Sequence, residues 1–317
     1  MKLIREFSQK VDRLIVVEEL EGLIEREVLA AGIPCEGKNL TGIQGELSVE
    51  KLRSVLLGAE MPKGEDASIP ARPPVLCPGC PHRGVFYVLN KLGMRVMGDI
   101  GCYTLAALPP LSAMDACLCM GASIGMAGGA ERAQGKAFSR GTVAVLGDST
   151  FIHSGITSLI DAVYNRETIT VVILDNRITG MTGHQQNPAT GFDIHNQPAH
   201  PNSIMEKLVE SCGVTDVRVV DPFDLKATEQ AIREAAASEQ VSVVIARRPC
   251  ALLDKTVRPA FVIDGCRGCG ACMKLSCPAI ERHGKLVEIN PALCSGCGMC
   301  AQVCPFKAIK SGREENV

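Results

Sequence analysis

Tryptophan is absent from this 317-residue chain, and with 3 tyrosines and 8 phenylalanines the aromatic share is only 3%. A surface that stacks sugars or bases on aromatic rings is not expected from so few of them. Excess charge is lacking too. The 33 basic and 35 acidic residues leave a formal net charge of −2, so neither nucleic acid nor an anionic membrane surface is an expected partner. No apolar run approaches the ~20 residues that span a bilayer. Residues 1–19 are broken by charge and carry no secretory core, which sets the expected location as cytoplasmic. Cysteine is the exception, with 16 residues. In a chain with no secretory signal, that number implies reduced thiols and metal ligation rather than disulfides. An apolar share of 46% supports a globular core, and the length allows about two or three domains.

Half of those cysteines fall near the carboxyl end, as Cys266-x2-Cys269-x2-Cys272-x4-Cys277-Pro278 and Cys294-x2-Cys297-x2-Cys300-x3-Cys304-Pro305. Tandem runs of this kind are the ligand pattern of a bacterial two-cluster ferredoxin, in which the last cysteine of each run reaches across to the other cluster. The expected assignment places Cys266, Cys269, Cys272 and Cys304 on one 4Fe–4S cluster. Cys277, Cys294, Cys297 and Cys300 fall on the second. The first run has x4 where x3 is usual, an insertion of one residue. Zinc ribbons or disulfides are the alternatives. Zinc sites rarely draw four thiolates from so tight a succession.

The chain divides on this reading into residues 1–60, a partial α/β segment; 61–74, a linker with prolines, glycine and charge; 75–257, the main α/β domain; and 258–317, the iron–sulfur module. In the first segment a strand is expected over 13–17 and helices over 22–31 and 49–57. In the main domain the runs 142–146, 170–174 and 242–246 are β-branched and apolar on both faces, as strands of a parallel sheet covered by helices are. A helical pattern over 155–164 completes a βαβ unit. The fold class is therefore α/β, a doubly wound parallel sheet with a small α+β module after it. Residues 310–317 are expected to hang free.

The strand 143–146 runs into Gly147-Asp148-Ser149, and 27 residues later the next strand has ended at Asp175-Asn176. A carboxylate and an amide at the carboxyl ends of adjacent parallel strands meet in the crevice where such sheets bind ligands. Both offer oxygen, which suits Mg²⁺ holding a diphosphate, and the Ile178 carbonyl is a further candidate ligand. Gly147 permits close backbone approach, and a helix starting near Gly155 would point its amino end at the phosphates. An ordinary turn Asp and a capping Asn are the alternative.

These segments, with TGMTGHQ at 179–185, resemble the thiamine diphosphate motif of 2-oxoacid:ferredoxin oxidoreductases. Together with CPGCPHRG (77–84), GDIGCYTL (98–105), CMGASIGMAGG (119–129) and GDSTFIHSGITSLIDAVYN (147–165), they are most similar to the large subunit of the indolepyruvate ferredoxin oxidoreductase family. That family shares the x4 spacing. The resemblance covers 70–317, and 1–60 looks like the tail of the preceding domain. It implies Mg²⁺ on Asp148, Asn176 and Ile178, and thiamine diphosphate held by Gly101, Cys102, Tyr103, Gly121, Ala122, Ser123, Gly147, Ser149, Thr179, Gly180, Met181 and Thr182. It implies oxidative decarboxylation of arylpyruvates such as indolepyruvate, with CoA as acyl acceptor and ferredoxin as electron acceptor, and a small partner subunit. Full-length members also carry a pyrimidine-binding domain whose glutamate activates the cofactor. Only about 70 residues precede the thiamine segment here, so that domain is expected from another chain or segment, and little turnover is expected without it. The rival readings are an oxidoreductase for another 2-oxoacid, and a non-catalytic electron-transfer subunit.

A second cysteine group, Cys77, Cys80, Cys102 and Cys250, matches by resemblance the position of a third cluster beside the cofactor. Zinc, or plain core packing, remains open for it. Cys35, Cys117, Cys119 and Cys212 are read as cysteines in apolar settings. His153 and His184 are expected on the cofactor rim, where either would move a proton, hold a substrate carboxylate, or only bond a loop. His195, His200 and His283 are read as surface or loop residues. Met114, Met120 and Met126 are read as core rather than as a pocket lining.

Overall fold

The computed structural model describes residues 1–61, 70, 73–199 and 205–312, and divides the chain into two units, Met1–Arg72 and Pro73–Val317. Most of the expected linker lies outside the described residues, as do His200 and the last five residues of the expected free tail.

The first unit is helical: Lys2–Ser8, Leu23–Ala30, Lys38–Thr41 and Val49–Leu57. Ser48 caps the last of these, its hydroxyl accepting from the Lys51 amide at 3.2 Å, and Gly58 ends it in the left-handed conformation at φ 68°. The strand expected over 13–17 does not form. Among the described residues its pairing is a single bridge between Ile15 and Glu36, so no ladder propagates.

The second unit is built on six parallel strands: β1 (Arg95–Gly98), β2 (Ala116–Cys117), β3 (Thr142–Gly147), β4 (Thr170–Asp175), β5 (Asp216–Val220) and β6 (Ser242–Arg247). Their order is β2-β1-β3-β4-β6-β5, so the direction of winding reverses between β1 and β3. The three apolar runs alternate between two cores. Val143, Val145, Val172, Leu174, Val244 and Ala246 face one, and Ala144, Leu146, Val171, Ile173, Val243 and Ile245 face the other. This period of two inside a continuous apolar run is what helices on both faces require. Helices Ala122–Gln134 and Ile156–Tyr164 cover the second face through Ile124, Ala127, Leu159 and Ala162. Helices His82–Lys91 and Leu225–Ala237 cover the first through Val85, Phe86, Leu89, Ile232 and Ala235. One helical boundary differs from expectation. The chain turns helical at Asp148, directly after β3, and passes through a π-helical turn at Phe151–Gly155 before Ile156–Tyr164. Gly155 therefore lies inside the helical path, packed against Leu146, rather than at its amino end.

The cysteine-rich end carries β7 (Phe261–Ile263), β8 (Ile280–His283), β9 (Leu286–Ile289) and β10 (Ile309–Ser311), with β7 antiparallel to β10 and β8 to β9. Lys310 and Ser311 are thus held in a strand, because Ile309 is buried opposite Ile263, and do not hang free. Gln302 ties this region to the sheet domain: its amide donates to the Phe223 carbonyl at 2.7 Å and its oxygen accepts from Leu225 N–H at 3.0 Å. Buried Cys272, Leu275, Ile280, Met299 and Ile309 belong to the same core as Val85, Phe86 and Ile232.

Candidate functional site

At the carboxyl ends of β1, β3 and β4, where the winding reverses, lies an open cavity. This is the place where open parallel sheets present ligand sites. Its walls include Gly101, Cys102, Tyr103, Gly147, Asp148, Ser149, Asn176, Ile178, Thr179, Gly180, Met181 and Thr182, all residues singled out from the sequence. His82, Ile100, Met120, Thr150 and Leu174 complete it. Met120 thereby faces the cavity and not the core, since its backbone lies in the loop after β2.

Asp148 is 2% exposed. Its Oδ1 accepts from the Ser149 amide at 2.6 Å, while Oδ2 is buried without a partner. Burial, and then the neighbouring Asp175 charge, push its carboxyl up to about 7. Asn176 Oδ1 accepts from Ile178 N–H at 3.3 Å, and its Nδ2 lies 3.5 Å from His82 Nε2. An orphaned carboxylate oxygen beside an amide oxygen is the donor set a hard divalent cation takes, so these residues fit Mg²⁺. Asp175 itself, 1% exposed, is paired with Arg177 Nε at 3.2 Å and Arg247 Nε at 2.6 Å. Arg247 also grips Glu206 with two bonds of 2.7 Å, which holds that carboxyl down to about 2.

Gly147 N–H donates to Tyr103 Oη at 3.1 Å, and a Cβ at this glycine would stand 3.2 Å from the tyrosine ring. The glycine thus lets a buried ring lie directly on the floor of the cavity. His82 meets the same ring edge-on, with centroids 5.9 Å apart. Burial pushes His82 down to about 4, so its imidazole is neutral at neutral pH.

The second Gly-Asp pair, Gly98-Asp99, is a residue set that sequence reasoning missed. Asp99 is wholly buried, and its two oxygens accept from Gly121 N–H at 2.9 Å and Ser123 N–H at 2.7 Å. Gly121, Ala122 and Ser123 do not line this cavity; the Gly121 and Ser123 amides donate to Asp99 and the Ala122 amide to the Cys119 carbonyl. The repeat of Gly-Asp at two strand ends was the available signal. His82 lay within the CPGCPHRG segment but, coming from a helix distant along the chain, was not assigned to the site.

Neither His153 nor His184 is among the residues that line the cavity. His153 is exposed on the π-helical turn, whose wide turn rotates it outward. His184 sits at φ 64°, its Nε2 3.8 Å from Cys250 Sγ. His195 and His283 are exposed, as read from the sequence.

Cys250 donates its amide N–H to the Asn176 carbonyl at 2.9 Å, which brings RRPC beside the Asp-Asn pair. Cys102 lines the cavity, and Cys77 and Cys80 form a tight turn closed by an N–H···O bond of 3.1 Å. The four sulfurs share one neighbourhood: burial raises the Cys102 thiol, and Cys250 and Cys77 raise it further, while burial pushes Cys80 up to about 12. Among the described residues no three such groups converge on a single-ion site, although a four-iron cube needs its thiolates farther apart. Of the other cysteines, Cys212 is buried, Cys35 half-buried, and Cys117 and Cys119 are exposed, contrary to an apolar setting for that pair.

In the carboxyl-terminal region one small pocket is lined by Cys266, Cys269, Cys272 and Cys304. A second is lined by Cys277, Cys294, Cys297 and Cys300. Each quartet thus draws its fourth sulfur from the other sequence run. Gly268 and Gly296 sit at φ 68° in equivalent places, and a Cβ there would come 2.5 Å from the Lys285 carbonyl and 2.7 Å from the Pro259 carbonyl. That tight wrapping turns amides inward. Gly268, Phe261 and Ala308 donate to Cys266, Cys294 and Cys304 sulfurs at 3.4, 3.4 and 3.3 Å. Backbone N–H···S bonds of this kind are what stabilise thiolate-bound iron–sulfur cubes, so both quartets fit such a group.

Residues 99–246 match the family model of the thiamine pyrophosphate enzyme C-terminal TPP binding domain, and 287–310 that of the 4Fe-4S binding domain. Indolepyruvate oxidoreductase subunit IorA of Pyrococcus abyssi is 38% identical across 98% of this chain and 55% of that protein. The Archaeoglobus fulgidus protein of the same name is 39% identical, over 98% and 54%. Pyruvate synthase subunit PorD of Methanothermobacter marburgensis is 41% identical over 63 residues, 19% of this chain and 73% of that one. The chain spans about half the length of the IorA proteins it matches. A parallel sheet with a thiamine pyrophosphate binding domain, continued by a 4Fe-4S cysteine module, is what these matches describe, and over 98% of its length the chain is similar to the indolepyruvate oxidoreductase subunit IorA proteins.

Proposed function

We propose that this chain forms the diphosphate- and metal-binding half, and the electron exit, of an oxidoreductase that decarboxylates arylpyruvates. The observation that carries this reading is the unpartnered, buried Asp148 Oδ2 in a cavity that Cys102 also lines, with Cys77 and Cys250 near that thiol. Asp148, Asn176 Oδ1 and the Ile178 carbonyl would hold Mg²⁺, and the 179–182 loop would close over the diphosphate. Neutral His82 positions Asn176 and keeps a second positive charge away from the metal. Bound there, thiamine diphosphate supplies an electron sink for loss of CO2 from a 2-oxoacid, and 4Fe–4S clusters supply one-electron acceptors. The two ferredoxin-like quartets would pass those electrons to an external ferredoxin, with CoA taking the acyl group.

The IorA names of the relatives support indolepyruvate as substrate and a partner subunit. The pyrimidine-binding domain that the family resemblance calls for would be supplied by another segment or another polypeptide. The test is an anaerobic purification with iron, sulfide and thiamine diphosphate counted per chain, then assay of the assembled complex on indolepyruvate, phenylpyruvate and pyruvate. About eight irons correspond to the two quartets, and about twelve add a cluster on Cys77, Cys80, Cys102 and Cys250. Preference for pyruvate in the assembled complex refutes the arylpyruvate reading.

A further inference from the structure

Arg83 heads the fully buried side chains of the described residues, with 0% exposure. It follows the Cys77–Cys80 turn at the start of helix His82–Lys91, and its guanidinium donates to four carbonyls. Two belong to that turn, Leu76 and Cys77. Two belong to the iron–sulfur region, Leu275 at 2.7 Å and Ser276. Ser276 stands at φ 56° immediately before Cys277, within the x4 spacing. The residue that lengthens the first run thus takes the left-handed kink that brings both carbonyls to Arg83; the second run, with x3, has no counterpart.

None of this neutralises the charge. No ion pair among the described residues includes Arg83, and its Nε–H is buried without a partner. A guanidinium keeps its proton in proteins, and a buried cation among neutral carbonyls is costly unless an anion lies nearby. Arg83 lines the cavity of Cys277, Cys294, Cys297 and Cys300, and not that of the other quartet. Burial lowers its pKa, and the charges opposing that fall come from Cys277, Cys80, Cys297 and Cys77 in that order. The other cavity has Arg267 at its wall, but that side chain is exposed and stacks on Phe306 at 4.8 Å, where water screens it.

We propose that Arg83 is the fixed counter-cation of the cluster on Cys277, Cys294, Cys297 and Cys300, donating its Nε–H toward that quartet and raising that cluster's reduction potential. The inference rests on the two-cluster reading given above. Each one-electron reduction adds one negative charge to the thiolate-bound cube, and a buried cation beside it stabilises the reduced form. Oxidation of one 2-oxoacid releases two electrons, so the charge is met twice per turnover, each time until external ferredoxin takes the electron. Arg83 also holds the Cys77 turn, which makes it a positioning residue between the cofactor cavity and its exit.

The test compares the wild-type chain with Arg83→Met and Arg83→Lys, each purified anaerobically and reconstituted with iron and sulfide. Iron and sulfide are counted, and each cluster is titrated by EPR against a redox mediator series. Arg83→Met is expected to lower one cluster's reduced-to-oxidised ratio at least tenfold at fixed poise, about 59 mV for a one-electron couple. The other cluster stays within twofold, and Arg83→Lys stays near the wild-type value at both. Loss of the cluster in the Met variant with retention near wild-type potential in the Lys variant also supports the charge. An unchanged potential in Arg83→Met, the same shift in both variants, or equal loss of iron in both overturns it. Fewer than about eight irons in the wild-type chain would instead sink the two-cluster reading, which separates the two failures.

Discussion

Replacing Asp148 by Asn is expected to stabilise the cofactor-free chain while abolishing its response to Mg²⁺ and thiamine diphosphate. The carboxyl is 2% exposed, and its pKa lies at about 7 against an ordinary 3.8, a rise of about three units. At 1.36 kcal/mol per unit, the ionised group costs the fold about 4 kcal/mol above pH 7. The sign follows from proton counting. Between about pH 4 and 7 the folded chain holds a proton that the unfolded chain has released, so the native state loses stability as pH rises through that window. Asn keeps the acceptor for the Ser149 amide and removes the charge. An unpaired Asn amide returns about 1–3 kcal/mol of the gain, which leaves about 1–3 kcal/mol net. For a unit of this size that is a melting temperature higher by ~5 °C at pH 8, shrinking toward zero at pH 5. Added at about 100 times Kd, the cation and diphosphate should stabilise wild type by about 2.7 kcal/mol and leave the variant unmoved. Scanning fluorimetry of cluster-loaded protein at pH 5, 6, 7 and 8 reads all of this. A variant no more stable than wild type at pH 8, with the same pH dependence, would refute the account of Asp148 as a strained anion awaiting a cation.

Asp99→Ala strips both acceptors from the Gly121 and Ser123 amides, and is expected to cost roughly 2–5 kcal/mol, against less for Asp99→Asn; equal denaturation midpoints for the two would count against a capping role. Gly84→Ala would place a Cβ 2.0 Å from the Pro222 carbonyl oxygen, which is backbone and cannot rotate away, so a loss of about 1–3 kcal/mol or more is expected in denaturant; an unshifted midpoint contradicts it. Cys304→Ala should remove about four irons and the EPR signal of the cluster on Cys266, Cys269 and Cys272, although Cys304 belongs to the other sequence run; loss of the other signal would reverse the interleaving.

The strands at 142–146, 170–174 and 242–246 could be read because helices bury both of their faces, which leaves no polar position to interrupt the run. β1 and β5 were hidden for the opposite reason. In β1, Arg95 stacks on Phe138 at 3.9 Å and bonds the Phe138 carbonyl, and in edge strand β5 Arg218 pairs with Asp216 and Glu234. A charged residue satisfied by its own surroundings looks, in sequence, like a break. Asp148 and Asn176 could be placed in one crevice because parallel neighbours share an end. Asp99 was passed over although it repeats the Gly-Asp pattern, since its partners are backbone amides that no residue type advertises. Nearness to a motif along the chain singled out His153, which the structure places exposed on the π-helical turn after Asp148.

One core runs without interruption from Val85, Phe86 and Ile232 to Leu275, Met299 and Ile309. The cysteine module is therefore not a carrier on a tether that must swing between a donor and an acceptor. Its distance from the cofactor crevice is fixed by close packing, so on this architecture the internal electron transfer has no diffusive search and no dependence on solvent viscosity. Only the encounter with an outside acceptor can carry such a dependence. The same rigidity removes a freedom: on the proposed reading, the quartet on Cys277, Cys294, Cys297 and Cys300 must exchange electrons from a fixed position beside Arg83.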